Sequence, residues 1–137
     1  MKVLFVSNIP TPYQADLAQA LGRRVEFLPL YLWAGEPNRD WQLDLPGLQV
    51  LQPGPAGPGG AGLGLRAKLL RALERVAPQL VLLGGYGLPG TGLALAWARA
   101  RRRPAVFWLE RPFEAEGLRA ASKELYLRAL LPQAAAI

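Results

Sequence analysis

Three glycines in the stretch "LVLLGGYGLPGTG" have the spacing of a phosphate-binding loop. Gly85, Gly87 and Gly90 spell G-x-G-x-x-G between an apolar strand candidate and a helix candidate, and an acidic residue, Glu110, follows further along the chain. In a dinucleotide-binding domain such glycines let the backbone approach a pyrophosphate, and the acidic residue binds a ribose. The spacing therefore raises the hypothesis of an NAD(P)-binding oxidoreductase domain.

A second interpretation treats the same loop as the wall of a ligand cleft. Pro89 stiffens the loop and removes one N–H donor, and further glycines on both sides make a chance match easy. The fingerprint also normally opens the first βαβ unit, whereas this loop follows a middle strand. On this interpretation Gly85, Tyr86 and Gly87 contact an acceptor, with the Tyr86 ring stacked on a sugar.

Polar side chains also follow the first predicted strand, in the stretch "SNIPTPYQ". Asn8, Thr11, Tyr13 and Gln14 offer amides and hydroxyls that suit the hydroxyls of a sugar. The alternative is structural, because Thr11 and Gln14 have the spacing of a helix capping box and Tyr13 falls on an apolar helix stripe. Both interpretations stay open from the sequence alone.

An acidic and a basic residue follow the strand candidate "AVFWLE". Glu110 is placed to accept a proton from an acceptor hydroxyl, and Arg111 to hold an anionic group or to orient Glu110. The alternative is an exposed ion pair of little energetic value. We predict a catalytic role for both residues.

Composition excludes several kinds of chemistry. The 137 residues contain no histidine and no cysteine, so histidine-based triads, histidine metal ligands, disulfides and thiol chemistry are absent. We expect no metal and no tightly bound cofactor. The net charge of +6 is attributed to an arginine-rich composition, and we expect no nucleic-acid partner. The N-terminus does not read as a signal peptide, so we expect a cytoplasmic protein, with attachment to the inner membrane surface left open.

Strand and helix patterns alternate along the chain. This alternation predicts a Rossmann-like α/β fold: one three-layer domain with a doubly wound parallel sheet and helices on both faces. Pro29 suggests that the second strand lies at an edge or ends early, and "PGPAGPGGAG" suggests a loop over 53–62. The predicted strands cover 2–7, 24–32, 48–52, 80–84 and 105–110, and the predicted helices cover 12–22, 65–77, about 92–102 and 118–131.

The opening "MKVLFVSNIPTPYQADLAQALG" resembles that of family 4 glycosyltransferases, which have the GT-B fold. The stretch from "LLRALERVAPQLVLLGGYG" to "AVFWLERP" is similar to the middle of their N-terminal domain. The stretch "LRAASKELYLRALLPQAAAI" is similar to the helix and strand that precede their interdomain linker. The resemblance covers most of the chain, except for residues 33–64.

The resemblance implies a retaining transfer of a sugar from a nucleotide-sugar donor to a hydroxyl acceptor. It also implies that residues 1–137 are the N-terminal, acceptor-side half, since the family holds its donor mainly in a C-terminal domain. The expected partners are that domain and a sugar or lipid-linked acceptor, and an exposed interdomain face favours self-association. A non-catalytic α/β module that binds a partner through a sheet edge is a further alternative.

Overall fold

The structure is an α/β fold built on one five-stranded parallel sheet. The computed structural model describes residues 1–37, 49–55, 62–85 and 88–108. The strand order is β3-β2-β1-β4-β5, and every neighbouring pair is parallel. This confirms the predicted Rossmann-like α/β class. The elements are β1 (Lys2–Ser7), α1 (Pro12–Gly22), β2 (Glu26–Gly35), β3 (Gln49–Pro55), α2 (Leu63–Val76), β4 (Leu80–Leu83), α3 (Thr91–Ala100) and β5 (Ala105–Phe107).

Helices cover both faces of the sheet. Leu4 and Val6 of β1 pack into the apolar core that α2 and α3 form on one face. Side chains alternate along a strand, so Phe5 and Ser7 lie on the opposite face. There the side chain of Gln14 in α1 binds Ser7, which places α1 on that second face. The described residues therefore form three layers, as the alternation of elements predicts.

The face of α2 that contacts the sheet carries the predicted apolar stripe. Leu65, Leu69 and Leu73 are at most 1% exposed, and Val76 is buried beside them. The helix ends at Ala77, whose left-handed φ of 46° closes the last turn before Pro78. Burial of this stripe in the common apolar core fixes the position of α2 against the sheet and against α3.

Pro29 does not place β2 at an edge. β2 lies between β1 and β3 and continues to Gly35, so the expectation of an edge position or an early end was wrong. Pairing with β3 begins at Leu30, one residue after Pro29. Among the described residues, the missing N–H of Pro29 therefore falls outside the part of β2 that has a strand on both sides.

The predicted loop over 53–62 begins later than its composition suggests. β3 extends to Pro55, which pairs with Gly35 after an irregularity in the register. Proline is tolerated there because β3 has a neighbour on only one side among the described strands. The predicted helix over 118–131 and the rest of residues 109–137 lie outside the described part of the chain. Within the described part, no helix is long and apolar enough to cross a membrane.

Candidate functional site

The fold creates a topological switch point between the two central strands β1 and β4. The chain leaves β1 toward α1 on one face of the sheet, and it leaves β4 toward α3 on the other face. Connections that diverge in this way open a crevice at the carboxyl ends of the two strands, where α/β proteins commonly bind ligands. Ser7 and Asn8 border this crevice on one side, and Gly84 and Gly85 on the other.

The two sides of the switch point are in close contact through Gly84. Its N–H donates to the carbonyl of Val6 at 2.8 Å. A Cβ added to Gly84 would lie 2.8 Å from Oγ and 3.0 Å from Cβ of Ser7. Glycine is required here because the strands approach too closely for a side chain.

The first turn of α1 brings a buried amide to the end of β1. Gln14 Nε2 donates to Ser7 Oγ and to the hydroxyl of Tyr13, both at 3.1 Å. Ser7 and Gln14 are buried, whereas Tyr13 is 46% exposed. The capping-box interpretation was wrong: Thr11 stands at the N-cap position without a side-chain cap bond, and Gln14 reaches back to the strand. Tyr13, which falls on the predicted apolar stripe of α1, is exposed, and its hydroxyl joins this polar group.

Tyr31 adds a second phenol to the same face of the sheet. It is the register partner of Ser7, and its ring packs edge-on against Phe5 with centroids 6.4 Å apart. Burial, and then the neighbouring Tyr13, raises the pKa of Tyr31 to about 12. Tyr31 is therefore a neutral hydroxyl at ordinary pH. We call Ser7, Tyr13, Gln14 and Tyr31 the hydroxyl cluster.

Several polar atoms in and around this cluster are buried without a partner in the described residues. They are Gln14 Oε1, Tyr31 Oη, Thr11 Oγ1 and Trp33 Nε1. A buried polar atom without a hydrogen bond typically costs about 1–3 kcal/mol, and native proteins keep few of them. Thr11, Gln14 and Tyr31 thus retain hydrogen-bonding capacity that the described protein groups do not use.

A carboxylate that the sequence analysis missed lies beside this cluster. Asn8 Nδ2 donates to Glu36 Oε1 at 3.2 Å, and the carbonyl of Asn8 accepts from the N–H of Trp33 at 3.0 Å. Glu36 directly follows β2 and is half-buried. The sequence signal was an acidic residue after a buried strand, but it is visible only if β2 is extended past Leu32 to Gly35.

The glycine-rich loop after β4 is built for close packing at its far end. The carbonyl of Gly85 accepts from Thr91 Oγ1 at 3.3 Å. Gly90 has a φ of +99°, and an added Cβ would lie 2.6 Å from Leu69 Cδ2 of α2. The third glycine of the G-x-G-x-x-G pattern is therefore required by the left-handed backbone at the start of α3, with Leu69 of α2 close beside it. Tyr86 and Gly87 lie outside the described residues.

The remaining predicted site residues can be located only along the chain. β5 ends at Phe107 on the carboxyl edge of the sheet, and Glu110 and Arg111 follow it outside the described residues. The structure thus places Asn8, Tyr13 and Gln14 at the carboxyl end of β1, with Gly85 just after the end of the neighbouring strand β4. No group of three or more carboxylates able to hold a metal ion is present among the described residues.

The described arrangement suits neutral, hydroxyl-bearing ligands. Two amides each hold an oxygen-bearing side chain, since Gln14 holds the phenol of Tyr13 and Asn8 holds the carboxylate of Glu36. Phenol and carboxylate groups together donate to and accept from a ligand hydroxyl. Comparison of the chain with protein-family models gave no match, and comparison with curated proteins gave none either.

Proposed function

We propose that this chain is the acceptor-side domain of a retaining glycosyltransferase of the GT-B type. It would bind a hydroxyl-bearing acceptor that receives a sugar from a nucleotide-sugar donor held by a second domain. The observation that carries the proposal is that two hydrogen-bonded polar groups, the hydroxyl cluster and the Asn8–Glu36 pair, lie at the carboxyl end of β1, which borders the switch point. The resemblance of the N-terminal stretch to family 4 glycosyltransferases supports the same function.

The site has an outer layer for the ligand and an inner layer that holds it in place. Tyr13 and Glu36 are exposed or half-buried, and they are the groups that meet the acceptor. Ser7 and Gln14 lie behind Tyr13, while Asn8 orients Glu36. Because hydrogen bonds in a chain polarise one another, a phenol that accepts from Gln14 is a stronger donor to an acceptor oxygen.

The chemical step assigned to this edge is the transfer of a glycosyl group to the acceptor oxygen. The bond from the anomeric carbon to the diphosphate breaks, its electron pair leaves with the nucleotide diphosphate, and a carbon–oxygen bond to the acceptor forms. The acceptor proton passes to a base, for which we propose Glu110, with Arg111 orienting it or holding an anionic group. Gly85, Tyr86 and Gly87 line the acceptor side in this proposal.

Turnover of nucleotide sugars tests the proposal. We expect residues 1–137 alone to release no nucleotide diphosphate, whereas a protein that also carries the donor domain releases it in the presence of acceptor. Glu110→Gln should lower kcat, while Asp16→Asn, a change at an exposed carboxylate of α1, should not. Turnover by residues 1–137 at the rate of the two-domain protein would show that the reaction does not need a second domain, and it would contradict the proposal.

Titration with NADH and NADPH separates this proposal from the dinucleotide hypothesis. The left-handed φ of +99° accounts for Gly90 without a bound phosphate, and the loop follows β4 rather than the first strand. We therefore expect neither cofactor to bind saturably with a Kd below about 1 mM, which corresponds to a binding free energy of about −4 kcal/mol. Tighter binding that is lost in Gly85→Val would favour the oxidoreductase.

A further inference from the structure

A groove lies between α2 and the start of α3, on the face of the sheet opposite α1. Its volume is about 610 Å³, within the range of sites for small organic ligands. The groove opens where both helices begin, and helices that follow parallel strands begin at the carboxyl edge of the sheet. Its lining includes Leu63, Arg66, Ala67, Leu70, Leu88 and Leu93.

The lining of the groove is apolar and partly open to solvent. Leu63 is 84% exposed and Leu70 is 39% exposed, although both are large aliphatic side chains. Aliphatic side chains that are exposed around a groove offer apolar surface to a hydrocarbon ligand. Arg66 is the cation among the described residues of the lining, so the groove pairs hydrocarbon surface with one positive charge.

The groove and the switch point share one loop. Gly84, at the start of the β4–α3 loop, contacts Ser7, while Leu88 and Pro89 of the same loop line the groove. The five residues from Gly84 to Leu88 are separated by four Cα steps, which span at most about 14 Å when fully extended. A ligand of modest length can therefore occupy both places at once.

We propose that the groove holds the hydrocarbon part of an anionic, amphiphilic acceptor, such as an alkyl or isoprenyl phosphate derivative. Arg66 pairs with its phosphate, and the polar end with the reacting hydroxyl lies at the switch point. This inference rests on the proposed function and deepens it, because it selects a lipid-linked acceptor over a free sugar. The apolar lining, the single cation and the shared loop point to that occupant together.

Binding of dodecyl phosphate to the 137-residue chain, below its micelle concentration, tests the groove without any donor sugar. Calorimetry should show one site per chain, and affinity should rise about fourfold with each methylene between octyl and dodecyl phosphate. Ala67→Trp, which fills the groove, should weaken binding at least tenfold. Ala100→Trp, at an exposed alanine at the far end of α3, should leave binding unchanged and is the matched control.

The role of Arg66 is tested by removal of its charge, by an uncharged amphiphile and by phosphate without an alkyl chain. Arg66→Gln should weaken dodecyl phosphate binding about two- to fivefold, as expected for an exposed ion pair, while Arg71→Gln should not. The dodecyl ether of a short ethylene glycol chain, which carries neither charge nor sugar, should bind more weakly than dodecyl phosphate, and inorganic phosphate should not compete at equal concentration.

Three results would overturn the proposal: no one-site binding up to 1 mM, equal binding by wild type and Ala67→Trp, or equal binding of the neutral probe.

Failure of the groove proposal and failure of the proposed function give different results. A chain that binds dodecyl phosphate in the groove but binds no saccharide at the switch point refutes the glycosyltransferase proposal alone. A chain that binds saccharides there but no dodecyl phosphate refutes the groove alone.

Discussion

Replacement of Gln14 by leucine separates a role in binding from a role in stability. Gln14 is 5% exposed, and its amide nitrogen donates to Ser7 and Tyr13. Its amide oxygen, however, is buried without a partner among the described residues. An unpartnered buried oxygen lowers the net contribution of Gln14 to stability, so we expect Gln14→Leu to impair ligand binding far more than folding.

The expected change in stability is small because opposing contributions nearly cancel. Gln14→Leu loses two hydrogen bonds, each with a net value of about 1 kcal/mol. It also removes the unpartnered amide oxygen, whose burial costs about 1–3 kcal/mol, and it adds apolar surface to the interior. We therefore expect the free energy of unfolding to change by no more than about 1 kcal/mol, within the usual range for a point variant.

The double variant Ser7→Ala/Gln14→Leu checks this reasoning. Gln14→Leu alone leaves the buried Ser7 hydroxyl without its described donor, whereas the double variant removes both partners. Replacement of both partners by apolar groups is close to neutral, so the double variant should be at least as stable as Gln14→Leu.

Urea unfolding followed by tryptophan fluorescence measures stability, and NMR titration with saccharides measures binding. A loss of more than about 3 kcal/mol in Gln14→Leu, with saccharide binding unchanged, would refute the reasoning and make Gln14 a structural residue.

Other predictions concern packing, the α2–α3 contact and pH. Gly90→Ala should cost about 1–3 kcal/mol because φ is +99°, whereas Gly92→Ala, in open space, should cost nothing or stabilise slightly; thermal unfolding compares them. Trp97 Nε1 donates to Glu74 at 2.9 Å, so Glu74→Ala should cost about 1–3 kcal/mol in urea unfolding and Glu74→Gln less than about 1 kcal/mol. The pKa of Tyr31 is raised from 10.0 to about 12, so the unfolded chain ionises first as pH rises. The contribution of Tyr31 to the free energy of unfolding is therefore fully present below pH 10. It should fall by about 2–3 kcal/mol as pH rises from about 10 to 12, and this loss should be absent in Tyr31→Phe.

Local patterns predicted the central elements well. β1 and α1 have the predicted bounds, because an uninterrupted apolar run and a proline at the first helical position are strong signals. The α2 stripe was also confirmed, since four buried aliphatic residues recur at helical spacing. These signals come from residues that are close together along the chain, so they can be recognised without knowledge of the three-dimensional structure.

Features that depend on distant contacts were not predictable in the same way. The effect of Pro29 on β2 depends on where β3 begins to pair, which no local pattern reveals. The capping-box spacing of Thr11 and Gln14 was genuine, but Ser7 on the neighbouring strand offered Gln14 a better partner. Glu36 was missed for the same reason, because only the extension of β2 past Leu32 brings it to Asn8.

The measurement that tests the central claim most directly is an NMR titration of the uniformly ¹⁵N-labelled chain with methyl glycosides. The account predicts weak, saturable binding in the millimolar range, with shifts at the side-chain amides of Asn8 and Gln14 and at the backbone of Ser7, Gly84 and Gly85. Gln14→Leu should reduce the affinity, whereas Asp16→Asn should not. Shifts confined to other parts of the sheet, or shifts of these signals with NADH and none with any glycoside, would contradict the claim that this switch point binds a hydroxyl acceptor.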